Sequence, residues 1–120
     1  MKRVLVVEDT EDNRQIIRDL LTSAGYEMIE AVNGEQGVAM AAEHRPDLIL
    51  MDIQLPVLDG YEATRRIKTN PALRHIPIIA VTSYALSGDE EKTREAGCDA
   101  YVAKPFSPRL LLAKVREFIG

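Results

Sequence analysis

Four short apolar runs punctuate the chain, and each ends in a residue able to do chemistry. Val4-Leu5-Val6-Val7 runs into Glu8-Asp9, and Leu48-Ile49-Leu50-Met51 into Asp52. Ile78-Ile79-Ala80-Val81 runs into Thr82, and Ala100-Tyr101-Val102-Ala103 into Lys104-Pro105. Short continuous runs rich in branched residues fit strands buried on both faces, and they predict strands over 3–7, 47–51, 78–81 and 99–103. Met28-Ile29 is the apolar centre of a more polar stretch and predicts a short strand over 26–31.

The intervening segments carry helical spacing and end signals. A helix over about 11–24 places Ile16, Ile17, Leu20 and Leu21 on one face, with acids in its first turn and Gly25 as its stop. Asn33 caps a second, carrying Gly37, Val38 and Met40-Ala41-Ala42, and Pro46 closes that unit. Asp59 caps a third over about 60–69. Ser87 caps a fourth, with Asp89, Glu90 and Glu91 at its positive end and Gly97 as terminator. Ser107-Pro108 starts a fifth, for which Leu110, Leu111, Ala113, Val115, Phe118 and Ile119 supply apolar cover.

Five strand–helix alternations predict an α/β fold: a doubly wound, five-stranded parallel sheet with right-handed crossovers and five helices. The flavodoxin-like strand order 2-1-3-4-5 fits this length, as one domain over 1–120. In that order the switch point lies between the first and third strands, where Glu8-Asp9 and Asp52 would meet.

Composition narrows the function. The chain has 120 residues, 46% hydrophobic and 28% charged, as in ordinary soluble domains. Its net charge of −4 gives no support for direct nucleic-acid binding. No run approaches the roughly 20 apolar residues of a membrane span, and no signal peptide is recognisable. The single cysteine, Cys98, fits a reducing compartment, so a cytoplasmic location is expected.

Three carboxylates brought together without a cation repel one another, and one of them takes up a proton. A hard dication removes the conflict, and few protein oxygens with several retained waters suit Mg²⁺. Glu8 and Asp9 are adjacent, so their side chains diverge if the strand continues, one ligating directly and the other through water. A carbonyl in the loop after Asp52 could add a ligand. A carboxylate can also accept a phosphoryl group as an acyl phosphate. Asp52, the single acid after a buried strand, is the expected nucleophile, with Lys104 and Thr82 beside the phosphoryl oxygens. Alone, each residue fits a plain structural role, such as a helix cap or a complement to a helix dipole. Together at one sheet edge they favour chemistry.

At this point the chain resembles the receiver domains of two-component response regulators, the CheY-like superfamily, over essentially its whole length. Val7-Glu8-Asp9, Met51-Asp52-Ile53-Gln54-Leu55-Pro56, Asp59-Gly60, Val81-Thr82-Ser83 and Lys104-Pro105 carry the resemblance. It implies a phosphorylation-activated switch that takes a phosphoryl group on Asp52 from a histidine kinase or histidine phosphotransferase. It further implies Mg²⁺ held by Asp9, Asp52 and the main-chain carbonyl of Gln54, with Glu8 assisting through water. Thr82 would be the switch hydroxyl, Tyr101 the switch aromatic, Lys104 the phosphoryl-binding cation, and the Lys104–Pro105 peptide cis. A downstream protein partner would bind the face of the fourth helix, fifth strand and fifth helix, with the chain a monomer or weak dimer. Such a domain catalyses only its own phosphorylation and dephosphorylation.

Within the family, Pro46 to Pro56, His75-Ile76-Pro77, Gly88-Asp89-Glu90-Glu91 and Gly97-Cys98 are similar to DivK-like single-domain regulators, implying kinases that govern division and polarity. A receiver excised from a larger regulator or hybrid kinase is the alternative. Ser83 and Tyr84 are points of variation, and Tyr84 could gate access to the acyl phosphate. A Mg²⁺-dependent phosphatase of the haloacid-dehalogenase type would need an acid where Gln54 stands. A flavodoxin-like cofactor carrier would need a phosphate cradle where Glu8-Asp9 stands. His44 and His75 stand on a helix end and a loop with nothing to suggest metal ligation, the Arg65-Arg66 pair reads as a solvated face that could dock a kinase, and Cys98 as a small buried residue.

Overall fold

The computed structural model describes residues 1–83 and 89–120. In chain order it comprises β1 (Arg3–Val7), α1 (Glu11–Ser23), β2 (Glu27–Ala31), α2 (Gly34–His44), β3 (Leu48–Asp52), α3 (Gly60–Lys68), β4 (Ile78–Thr82), α4 (Asp89–Ala96), β5 (Ala100–Ala103) and α5 (Pro108–Ile119). The strands form one sheet in the order β2-β1-β3-β4-β5, every neighbouring pair parallel. Ser87 and Tyr84 lie outside the described residues.

The alternation of side chains along each strand divides the core in two. Val4, Val6, Leu48, Leu50 and Ile79 face Ile17 and Leu21 of α1 and Leu111, Val115 and Ile119 of α5. Leu5, Val7, Ile49, Met51 and Ile78 face Ala41 of α2 and Ala63 and Ile67 of α3. β3 is buried from end to end because both layers cover it. Each fully buried Leu or Ile stabilises the fold by roughly 1.5–3 kcal/mol, so this double-sided sheet is the rigid platform for whatever its edge carries.

Three helix starts follow their sequence signals. Asn33 Oδ1 accepts from the Gln36 amide at 2.8 Å, Asp59 Oδ1 from the Glu62 amide at 2.9 Å, and Ser107 Oγ from the Leu110 amide at 3.4 Å. Gly25 and Gly97, at φ 89 and 109, stand as helix stops. Gly60 answers a different need. A Cβ there would lie 2.3 Å from the Asp52 carbonyl oxygen, so α3 packs directly against the strand end that carries Asp52.

The helix faces differ from the sequence reading in phase. Ile16 is 47% exposed, and the buried stripe of α1 is Arg14, Ile17 and Leu21, spaced three and four apart. On α5 the stripe is Leu111, Val115 and Ile119, while Leu110 (66% exposed), Ala113 and Phe118 face outward. A helix packed on one side of a sheet buries one stripe, and neighbouring apolar residues rotate out of it. Cys98 is half-buried rather than buried, with its thiol 3.7 Å from Thr64 Oγ1. Burial pushes that thiol up to about 11, away from the thiolate form at neutral pH.

Candidate functional site

β3 and β4 each run one residue further than the sequence suggested, so Asp52 and Thr82 are the last residues of their strands. Asp52 is paired with Val81, and Thr82 with Ala103 immediately before Lys104. β1 stops at Val7, so Glu8 and Asp9 begin a loop and do not diverge. Carboxylate oxygens of Glu8, Asp9 and Asp52 lie within 4.8 Å of one another. The five residues picked from the ends of four apolar runs therefore meet on one sheet edge.

Lys104 ties the cluster together. Its ammonium donates to Glu8 Oε1 at 2.9 Å and to Asp52 Oδ2 at 3.0 Å. Glu8 takes further bonds from the Thr10 amide (3.1 Å) and Asn13 Nδ2 (3.2 Å). Asp52 Oδ1 accepts from the Gln54 amide at 3.0 Å. Glu8, Asp52 and Thr82 are buried, whereas Asp9 is exposed at the mouth of the site. The Lys104–Pro105 peptide is cis, and the Lys104 amide donates to the Thr82 carbonyl at 2.7 Å.

The electrostatics follow from this crowding. Burial and the charge of Glu8 push the Asp52 carboxyl up to about 6, although Lys104 opposes them. Burial also pushes Glu8 upward, but hydrogen bonds from Lys104 and the Thr10 amide outweigh it and hold Glu8 below its ordinary value. Desolvation and the neighbouring Glu8 carboxylate raise Asp9. Burial disfavours the Lys104 ammonium, yet its two carboxylate partners more than restore it, and its pKa rises. The cluster carries three carboxylates against one ammonium. A hard divalent cation suits that excess of oxygen donors.

Around the cluster, Gln54 is half-buried in the loop after β3. With Asp9, Pro56, Asp59, Tyr61 and Lys92 it lines an open cleft of about 520 Å³. In the same loop Val57 holds φ 70, and the Leu58 amide donates to the Pro56 carbonyl at 2.7 Å, a γ-turn at a branched residue. On the other side, Ile16, Ser83, Lys104, Pro105 and Phe106 line a cleft of about 540 Å³. Tyr101 is half-buried on β5, its hydroxyl 3.3 Å from Glu90 Oε2 on α4. Arg65 and Arg66 pair with Glu62 on the exposed face of α3. Asn13 and Arg14 escaped the sequence reading; position 14 falls in phase with Ile17 and Leu21, which marks it as buried despite its charge.

Comparisons with known proteins agree with this geometry. The family model described as "Response regulator receiver domain" matches residues 4–116. The polar-differentiation response regulator DivK of Brucella anthropi is 49% identical over 119 residues, covering 99% of this chain and 97% of that protein. The DivK of Brucella ovis is 47% identical over the same shares. The receiver domain of sensor histidine kinase PA1611 from Pseudomonas aeruginosa, solved with a magnesium ion coordinated in its active site cleft, is 44% identical. It superimposes with a TM-score of 0.93, covering 99% of this chain and 98% of that one. Vibrio cholerae CheY4 is 29% identical with a TM-score of 0.92 over 98% of both chains.

Proposed function

The chain belongs to the response regulator receiver family, and from that premise we propose that Asp52 is its phosphoacceptor, charged in the presence of Mg²⁺ by a histidine kinase or histidine phosphotransferase. The observation that carries this reading is Lys104, which reaches both Glu8 and Asp52 over an acidic cluster at the sheet edge. Phosphorylation-dependent switching is the role of this family, and the arrangement here supports it residue by residue.

Asp9, Asp52 and the Gln54 carbonyl are the proposed direct ligands, with Glu8 acting through water. In support, the Glu8 carboxylate already receives Lys104, Thr10 and Asn13, whereas Asp9 stands exposed beside Asp52. Bound there, Mg²⁺ would orient the donor and offset charge on the transferring group. An Asp52 oxygen bonds to phosphorus as the bond from phosphorus to the donor imidazole nitrogen breaks, and the imidazole leaves. Lys104 turns from Asp52 to a phosphoryl oxygen, and Thr82 offers its hydroxyl to another. Attack of water on phosphorus releases inorganic phosphate and returns the carboxylate, so the chain catalyses only its own charging and discharge.

Movement of Thr82 toward the phosphoryl group opens room for Tyr101 to leave Glu90 and turn inward, which reshapes the α4–β5–α5 surface. A protein partner docks there. Tyr101, Phe106, Leu110 and Ala113 already line an open cleft of about 630 Å³ on that surface. We place the protein in the cytoplasm as a monomer or weak dimer, without direct contact to nucleic acid or membrane. Among the described residues no helix is long and apolar enough to cross a membrane. The DivK relatives support a role in division or polarity signalling. A second reading, a receiver module of a hybrid kinase, is favoured by the likeness to the PA1611 receiver.

Intact-mass spectrometry after incubation with a small acyl phosphate tests the proposal. A single phosphoryl adduct that requires Mg²⁺ and is absent from Asp52→Asn is expected. An adduct that forms equally in EDTA, or persists in Asp52→Asn, would overturn it.

A further inference from the structure

The Arg14 guanidinium is buried and reaches the loop after β1, the strand β2 and its own helix at once. Nη1 donates to the Glu8 carbonyl at 2.8 Å, Nε to Glu30 Oε1 on β2 at 3.1 Å, and Nη2 to Glu11 on its own helix. Arg18 also binds Glu30, and its hydrogen bond leads the effects that hold that carboxyl below its ordinary value. The fork of Arg14 is thus fixed from behind by two carboxylates, and its remaining arm points at one backbone oxygen.

That oxygen belongs to the peptide that leads into Asp9. The plane between Glu8 and Asp9 is held by Arg14 through its carbonyl. The plane between Asp9 and Thr10 is held by the Thr10 amide, which donates to Glu8 Oε2 at 3.1 Å. With both flanking planes fixed, the direction of the Asp9 Cα–Cβ bond is fixed as well. The Glu8 amide is also held, by the Ala31 carbonyl at 3.0 Å. Asp9 itself is exposed, so its Cα–Cβ direction comes from the backbone rather than from packing.

We infer that Arg14 is a positioning residue: through the Glu8 carbonyl it presets Asp9 for a divalent cation without touching that cation. The inference rests on the proposed cation site. Its sign separates it from a charge effect. A guanidinium that reaches the Glu8 carbonyl repels a cation bound nearby, so deleting its charge should tighten binding by electrostatics alone. Loss of positioning weakens binding instead.

Titrating the unaltered chain, Arg14→Met and Arg14→Lys with magnesium chloride, by calorimetry and by the Asp9 amide resonance, tests it. Both variants are expected to bind at least about tenfold more weakly, as when an outer-shell partner of a ligand is lost. Arg14→Lys keeps the charge but not the fork, so it should not restore affinity; being the milder change, it decides the question should Arg14→Met not fold. Unchanged or tighter binding in Arg14→Lys would overturn the role of Arg14. Absence of binding by the unaltered chain would instead overturn the cation site itself, a separate failure.

Discussion

Replacing Asp52 by Asn should make the metal-free protein more stable at neutral pH, although it removes the residue on which function depends. Asp52 is 3% exposed, and its carboxyl is pushed from an ordinary 3.8 up to about 6 by burial and by Glu8. The folded state therefore holds a proton on Asp52 at pH values where the unfolded chain has released it. Stability contributed by the protonated form is complete below about pH 4 and is lost as pH rises through about 6. A displacement of this size corresponds to about 3 kcal/mol. That displacement already contains the attraction of Lys104, so the neutral, isosteric Asn is expected to gain about 1–3 kcal/mol at neutral pH. Urea denaturation in EDTA from about pH 4.5 to 7.5 reads both quantities. The difference between variant and unaltered chain should widen with pH and level off above about 6.5. A variant less stable than the unaltered chain at neutral pH, or a difference independent of pH, would refute the claim that the cluster is electrostatically strained without its cation.

Other positions make sharper local tests. Val57→Gly should stabilise the chain by about 0.5–1 kcal/mol in urea, because φ 70 costs a branched residue more than the extra chain entropy of Gly; a loss would show that the γ-turn is not strained. Gly60→Ala should cost about 1–3 kcal/mol and shift the Asp52 resonances, since the new methyl would meet the Asp52 carbonyl at 2.3 Å; a neutral outcome would show that α3 can move off β3. Lys104→Met should tighten Mg²⁺ binding, on the order of tenfold, while slowing phosphorylation; weaker binding would mean that Lys104 organises the carboxylates rather than competing with the cation.

The strand order and the gathering of Glu8, Asp9, Asp52, Thr82 and Lys104 were legible because parallel strands leave a direct trace. β3 is buried on both faces, so its four apolar residues show no alternation, and the acid that follows them, Asp52, marks the strand's end. Helix phase was less legible. Ile16 and Ile17 are equally apolar, and only packing against Val4 and Val6 selects Ile17, while Arg14 takes a buried slot because backbone and carboxylate oxygens satisfy its fork. Leu110 and Phe118 looked like core for the same reason, and the exposure of Leu110 leaves apolar surface beside β5. The γ-turn at Val57 had no sequence signal, since a Gly or Asn is the usual mark of positive φ. The acidic pair would diverge only if the strand continued; β1 ends at Val7, and the carboxylates of Glu8, Asp9 and Asp52 lie together.

The central claim is that a phosphoryl group lands on Asp52 and not on the other two acids within 4.8 Å of it. Borohydride reduction of the phosphorylated chain converts an aspartyl phosphate to homoserine, and peptide mapping then locates it. Homoserine at position 52, formed only from material charged with Mg²⁺, is the result predicted here. Homoserine at Asp9, or the reduced form of Glu8, would contradict the account and reassign the nucleophile.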